Sequence, residues 1–123
     1  MYELFDVRAA RIGLPALTIL PEGKILLNAD AGDLLSREGA KFVQILWDAK
    51  RYKMALRPLA KPGESTYKLS AKKGRRGMAF SGLTFLRHVR WNFGESSTIQ
   101  VEWNGKEKLL EAQLPREKIE EGR

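Results

Sequence analysis

Two six-residue stretches share one pattern, and they decide the fold that the sequence predicts. They are Val43-Gln-Ile-Leu-Trp-Asp48 and Ile99-Gln-Val-Glu-Trp-Asn104, offset by 99 − 43 = 56 residues. Apolar residues alternate with other residues in both stretches, and this period of two is typical of a strand with one buried face. The predicted inward residues are Val43, Ile45, Trp47, Ile99, Val101 and Trp103, and both Trp side chains are interpreted as packing.

A turn and a second alternating strand follow each stretch, which indicates two hairpins. Asn104-Gly105 is the strongest signal for a two-residue turn, because both turn positions require a positive φ. Asp48–Arg51 is a weaker version of this turn. Pro58 and Pro115 are expected to end the second strands at matching places. The predicted inward residues of these second strands are Tyr52, Met54, Leu56, Leu110, Ala112 and Leu114.

The segment before the first hairpin reads as strand, Gly turn and strand over residues 17–28. A short helix is predicted from Ala29 to Arg37, with Asn28 or Asp30 as its N-cap and Gly39 as its C-terminal stop. These elements and the hairpin together form a β-β-α-β-β unit.

The segment before the second hairpin has the same order of elements. Residues 67–81 read as strand, Gly turn and strand, and a helix is predicted over residues 82–90 with Ser81 as its cap. The predicted buried residues of this helix are Leu83, Phe85 and Leu86.

We therefore predict a strand-rich α+β fold that arose by tandem duplication of the β-β-α-β-β unit. The two units would form one pseudo-two-fold domain, built as antiparallel sheets or a small barrel. The chain of 123 residues is predicted to be a single domain with repeats at 17–58 and 67–115, a linker at 60–64 and a charged tail at 116–123. Two unrelated hairpins that share a Trp remain the alternative.

The composition excludes several classes of function. The chain has no Cys, which excludes disulfides, iron–sulfur clusters and a Cys nucleophile, and its one His excludes multi-His metal sites. That residue, His88, lies between Arg87 and Arg90, which disfavours the imidazolium that a general base must form. Gly74-Arg-Arg-Gly77 is too short for a phosphate loop and lacks its Lys-Ser/Thr ending. We expect no enzyme activity, no cofactor and no metal.

The net charge of +7 is concentrated in one third of the chain. Residues 50–90 carry 12 cations and one acid, Glu64, giving 12 − 1 = +11, whereas the other residues carry 10 − 14 = −4. A contiguous basic region favours an anionic partner, and we predict nucleic acid, with DNA favoured over RNA. The predicted nucleic-acid-binding residues are Lys53, Arg57, Lys68, Lys72, Lys73, Arg75, Arg76, Arg87 and Arg90.

The first unit contains a strand, a Gly followed by a basic residue, a second strand, a short helix with Leu, and a hairpin with an acidic turn. The residues of this pattern are Thr18-Ile19, Gly23-Lys24-Ile25, Leu27, Leu34-Leu35, Val43, Ile45, Asp48 and Met54 to Arg57. Over about 42 residues, this unit resembles the AbrB/MazE-type DNA-binding module. The resemblance implies a DNA-binding transcription regulator with a two-fold body. The second unit has Gly74-Arg75 in place of Gly23-Lys24. This chain has Asn28 and Ser81 where the family usually has Pro, and one chain supplies both halves.

A second stretch, Gly74-Arg-Arg-Gly-Met-Ala-Phe-Ser81 with the following helix, is similar to the last strand and helix of Whirly-type coactivators. That resemblance implies binding of single-stranded DNA. Exposed aromatic side chains at Tyr67, Trp91 or Phe93 would favour single strands, because unpaired bases stack on them. Buried aromatics beside a basic surface would favour duplex DNA. A protein-interaction module, antitoxin-like or structural, is the remaining alternative.

The N-terminal residues Met1–Arg8 contain acids and no apolar core, so they do not read as a signal peptide. The most apolar stretch, Leu14–Leu20, is about a third of a membrane span. We expect a cytoplasmic protein with no membrane contact, and the sequence leaves a homodimer open.

Overall fold

The computed structural model describes residues 14–71 and 77–119, which form nine strands and two α-helices. A short 3-10 turn follows the last strand, at Arg116–Lys118. The elements are β1 (Ala16–Ile19), β2 (Lys24–Leu27), α1 (Ala29–Arg37), β3 (Phe42–Asp48), β4 (Lys53–Leu59), β5 (Thr66–Lys68), β6 (Ser70–Ala71), β7 (Met78–Ser81), α2 (Leu83–His88), β8 (Ser97–Asn104) and β9 (Leu109–Gln113).

The nine strands form one antiparallel sheet that nearly closes into a barrel. Their order is β5-β3-β4-β9-β8-β1-β2-β7-β6. The two strands at the ends of this order, β5 and β6, are consecutive in the chain and only Leu69 separates them. One bent segment therefore pairs with β3 at one edge and with β7 at the other. The prediction of a strand-rich α+β fold with a small barrel is confirmed.

The barrel interior is filled by the alternating apolar residues. Burial of such side chains is the main source of folding free energy, at roughly 25 cal/mol per Å². Of the predicted inward residues, Ile45, Trp47, Ile99 and Trp103 are half-buried and pack against the core. The predicted inward residues that are fully buried are Val43, Met54, Leu56, Val101, Leu110, Ala112 and Leu114.

Helix α1 has the predicted bounds and caps. The Asn28 side chain accepts a hydrogen bond from the Ala31 amide at 2.9 Å, which satisfies one of the free amides of the first turn. Gly39 follows the helix with φ +68°, a conformation that glycine adopts without strain.

Helix α2 is shorter than predicted, and the prediction that Ser81 caps it is wrong. Ser81 pairs with Lys24 as the last residue of β7, so the N-cap position falls to Gly82, which has no side chain to offer. Phe85 and Leu86 are buried as predicted, and Leu83 is half-buried. Neither of the helices in the described ranges has the length and apolar character needed to cross a bilayer.

The two helices lie at opposite ends of the barrel. Phe85 of α2 packs edge-on against Trp47 of β3, with ring centroids 5.6 Å apart. Trp103 of β8 lines a cleft together with residues of α1, among them Leu34. Strands β3 and β8 run in opposite directions because β4 and β9 separate them in an antiparallel sheet. Trp47 and Trp103, each near the C-terminal end of its strand, therefore lie at opposite ends of the barrel.

The predicted two-residue turn at Asn104-Gly105 is wrong. Asn104 pairs with Leu109, which leaves a four-residue loop, and the positive φ of 55° belongs to Lys108. The loop takes this form because the Asn104 side chain accepts a hydrogen bond from the Glu107 amide at 3.1 Å. Such a contact mimics a backbone turn.

The first hairpin has a loop of the same length. Asp48 pairs with Lys53, so Tyr52 belongs to the loop, with φ 54°, and not to the inward face of β4. Pro58 does not end β4, which continues to Leu59. A proline is tolerated at this position because β9 pairs with β4 only as far as Leu56.

Candidate nucleic-acid interface

Two strands that flank β3, namely β4 and β5, carry exposed cations on one outward surface of the barrel. Arg57 of β4 lies opposite Gln44 of β3, and Gln44 lies opposite Thr66 of β5. Lys68, two residues after Thr66, lies opposite Phe42. Arg57 and Lys68 are both exposed. Strand spacings of about 4.8 Å and about 3.3 Å per residue place their Cα atoms about 12 Å apart.

Lys41 adds a third cation beside β5. Its amide donates to the Leu59 carbonyl at 2.9 Å, and its carbonyl accepts from the Leu69 amide at 3.0 Å. Lys41 and Lys68 line one groove of about 290 Å³ at the seam between β5 and β6. We call the surface that carries Lys41, Arg57 and Lys68 the cationic wall.

The Arg57 side chain is held by a chain of hydrogen bonds. Its Nη1 donates to Oε1 of Gln44 at 3.4 Å, and Nε2 of Gln44 donates to the Glu64 carbonyl at 3.0 Å. Gln44 thus links the Arg57 guanidinium to the backbone at Glu64, through one long bond and one bond of ordinary length.

The cationic wall keeps its positive charge. Across residues 14–71 and 77–119, none of Lys41, Arg57 and Lys68 forms an ion pair. Lys53, on the same outward face, differs, because its Nζ lies 3.8 Å from Oε1 of Glu111. That pair is partly exposed and contributes little to stability, but it offsets the charge of Lys53.

The neighbouring surface of the barrel is acidic. Glu102 of β8 and Glu111 of β9 lie directly opposite each other on the outward face. Asn104 donates to Oε2 of Glu111 at 3.5 Å. The sign of the outward surface therefore changes between β4 and β8, so a polyanion would meet attraction on one side and repulsion on the other.

The structure brings together only part of the predicted site. Arg57 and Lys68 share the cationic wall. Arg87 lies in α2 and Arg90 lies two residues after the end of that helix, and both are exposed. Helix α2 packs at the Trp47 end of β3, about 17 Å along the strand from Phe42, where Lys68 lies. The other predicted residues, Lys72, Lys73, Arg75 and Arg76, lie outside the described residues.

The sequence prediction missed Lys41 and Gln44. Gln44 could have been found from the alternation of β3, because inward Val43 and Ile45 place it on the outward face. Lys41 precedes β3, so the alternation of inward and outward residues along that strand does not place it. Its place on the wall depends on its backbone bonds to residues 59 and 69, which are distant in sequence.

The aromatic residues near the basic region are covered. Trp91 is only 4% exposed, and Tyr67 is half-buried with its ring centroid 5.8 Å from that of Phe80. Phe93 is half-buried and packs against the core. In the part of the chain that the structure describes, Leu14 is the one large apolar side chain that is exposed.

A second concave feature is an open cleft of about 740 Å³ between α1 and Trp103, whose lining includes Asp30, Asp33 and Arg37. Over the described ranges, no three His, Cys, Asp or Glu residues form a group that could hold a metal ion.

Comparison of the chain with protein-family models, curated proteins and solved structures finds no match in any of the three.

Proposed function

We propose that this protein is a non-enzymatic cytoplasmic protein that binds duplex DNA, in the manner of a transcription regulator. The observation that carries the proposal is the cationic wall, on which Lys41, Arg57 and Lys68 are exposed and have no ion pair in the described ranges. Cations in this state can neutralise phosphates and release their counterions, which is the main source of affinity for DNA.

The acidic surface of β8 and β9 supports a defined orientation of the DNA. Glu102 has no ion pair in the described ranges and repels phosphates, so the duplex would lie over β3, β4 and β5 and away from β8. Trp91 is buried and Tyr67 and Phe93 are half-buried, which favours duplex over single-stranded DNA, because stacking on unpaired bases requires exposed rings.

We also propose that the barrel arose by tandem duplication, with β3, β4 and α1 equivalent to β8, β9 and α2. The β4–β9 register supports this origin. Met54 pairs with Ala112, and Leu56 pairs with Leu110. Residue 54 shifted by the repeat offset becomes 54 + 56 = 110, and residue 112 shifted back becomes 112 − 56 = 56. The shift therefore converts the first pair into the second. This relation is expected when a pseudo-two-fold axis passes between the two strands.

Two reciprocal glycine contacts also support the duplication. Gly23 precedes β2, and a Cβ atom on it would lie 3.1 Å from Cα of Leu83, the first residue of α2. Gly77 precedes β7, and a Cβ atom on it would lie 2.7 Å from the carbonyl oxygen of Leu27, next to the start of α1. Superposing residues 16–59 on residues 66–113 by a half-turn tests the proposal, and strands that fail to overlay in matching order would contradict it.

The direct test of DNA binding is a fluorescence-anisotropy titration with duplex and single-stranded oligonucleotides at two salt concentrations. We expect duplex DNA to bind more tightly and its affinity to fall steeply with salt, by roughly a factor of 10³ between 50 and 200 mM if about six phosphates are contacted. Preference for the single strand would favour the Whirly-like alternative. Absence of binding to both at low salt would contradict the proposal and favour a protein-interaction module.

The variant Arg75→Glu with Arg76→Glu extends this titration to the basic segment outside the described residues. We expect weaker duplex binding at an unchanged melting temperature, because charge reversal at a binding surface opposes phosphate contact without removing core packing. A fall in melting temperature would show that the pair stabilises the fold instead.

A further inference from the structure

We propose that Arg57 reads guanine in the DNA major groove, while Lys41 and Lys68 hold the phosphate backbone. This inference rests on the proposed DNA binding and adds a base preference to it. Backbone contacts set the position of a protein on a duplex, whereas contacts to base edges select the sequence. The cationic wall contains an arginine, which suits contact with a base edge, and two lysines, which suit contact with phosphates.

The guanidinium of Arg57 is suited to a base edge by its geometry. It carries five N–H donors in a rigid plane, and its bond to Gln44 uses one of them. The remaining donors can form the two parallel hydrogen bonds that guanine accepts at O6 and N7. The lysine ammonium groups are point charges without this planar geometry, and they suit phosphates.

The support behind Arg57 distinguishes it from an ordinary surface arginine. Gln44 accepts from Arg57 at 3.4 Å and donates to the Glu64 carbonyl at 3.0 Å, a pair of contacts that favours one orientation of the guanidinium before any ligand arrives. A side chain that is oriented in advance loses less entropy on binding. Gln44 is therefore a positioning residue, and it acts through Arg57.

The test compares two duplexes of identical sequence, one with guanine and one with 7-deazaguanine, which lacks the N7 acceptor but still pairs with cytosine. We expect the wild-type chain to bind the deaza duplex about five- to hundredfold more weakly, the range expected for loss of a good bidentate contact. The matched variant is Arg57→Met, which keeps a long flexible side chain and removes every N–H donor. It should bind both duplexes equally, with the salt dependence of the wild type.

The Gln44→Ala variant tests the positioning role. It should reduce the discrimination between the two duplexes while leaving the salt dependence unchanged, because no phosphate contact is removed. Full discrimination in this variant would show that Gln44 does not position Arg57.

Two other results would overturn the inference without affecting the proposed function. Equal binding of both duplexes by the wild type would make Arg57 a phosphate contact, and persistent discrimination in Arg57→Met would assign the reading to another residue. Failure of the wild type to bind either duplex at low salt would instead contradict the proposed function itself.

Discussion

The side chain of Asn28 joins the start of α1 to the start of β1. Its Oδ1 accepts from the Ala31 amide at 2.9 Å and from the Ala16 amide at 3.1 Å. Its Nδ2 donates to the Leu14 carbonyl at 3.0 Å. One residue thus caps the helix and also fixes the strand that precedes it.

We predict that Asn28→Ala lowers the free energy of unfolding by about 2 kcal/mol, of which about 1 kcal/mol is the lost cap and the rest the lost contacts to residues 14 and 16. Asn28→Asp keeps the acceptor but removes the donor, so it should cost about half as much. Urea unfolding followed by circular dichroism measures both. An Asn28→Ala variant as stable as the wild type would contradict this role.

At the residue scale, the sequence predicts features that depend on local chemistry. Asn28 as a cap and Gly39 as a stop follow from preferences that act within one helical turn. The positive φ values of Tyr52 and Lys108 could not be predicted, because neither residue type favours that conformation. They result from four-residue loops that the side chains of Asp48 and Asn104 close.

At the element scale, the pairing of β8 with β9 places two carboxylates directly opposite each other. Glu102 and Glu111 occupy one cross-strand pair on the outward face, and like charges in this position destabilise a sheet. Lys53 and Asn104 contact Glu111 and partly offset its charge. Glu102 has no ion pair within the described ranges.

We predict that Glu102→Lys raises the free energy of unfolding by about 1 kcal/mol, because it replaces a repulsive cross-strand pair by an attractive one. Glu102→Gln removes the repulsion alone and should give a smaller gain. The urea midpoints of the two variants at low salt provide the measurement, and the gains should shrink in high salt. A midpoint for Glu102→Lys below that of the wild type would be inconsistent with this account.

The order of elements could be predicted from alternation and helix signals, but their lengths could not. Helix α2 begins at Leu83 because Ser81 pairs with Lys24, a residue 57 positions away (81 − 24 = 57). The first strand of the second half is divided into β5 and β6 because its two parts pair with different strands. Both features result from tertiary pairing, which a local pattern does not contain.

At the scale of the whole molecule, the barrel divides a charge that is concentrated in sequence between separate regions of the surface. The pairing of β3 with β4 and β5 places Arg57 and Lys68 on one outward surface, and the same fold places Arg87 and Arg90 with α2 at the Trp47 end. The basic third of the chain is thus divided between regions. The sequence predicts the sign of the surface but not this division, because the division depends on strand register.

The proposed DNA binding depends on where the cations lie. Two variants with equal net charge distinguish the effect of their position from the effect of the total charge. Lys41→Glu with Lys68→Glu changes the two lysines of the cationic wall that are proposed to hold phosphates. Lys24→Glu with Lys106→Glu changes two exposed lysines that form no ion pair in the described ranges and lie on β2 and in the β8–β9 loop. Each double reversal lowers the net charge by four, from +7 to 7 − 4 = +3.

The decisive measurement is the salt dependence of duplex binding by the wild type and these two variants. We predict that the wall variant loses at least about tenfold in affinity and that its slope of log K against log salt falls by roughly 0.9 × 2, as expected for two lost phosphate contacts. The control variant should keep nearly the slope of the wild type. Equal losses in both variants would contradict the account, because binding would then follow the net charge of the protein and not the cationic wall.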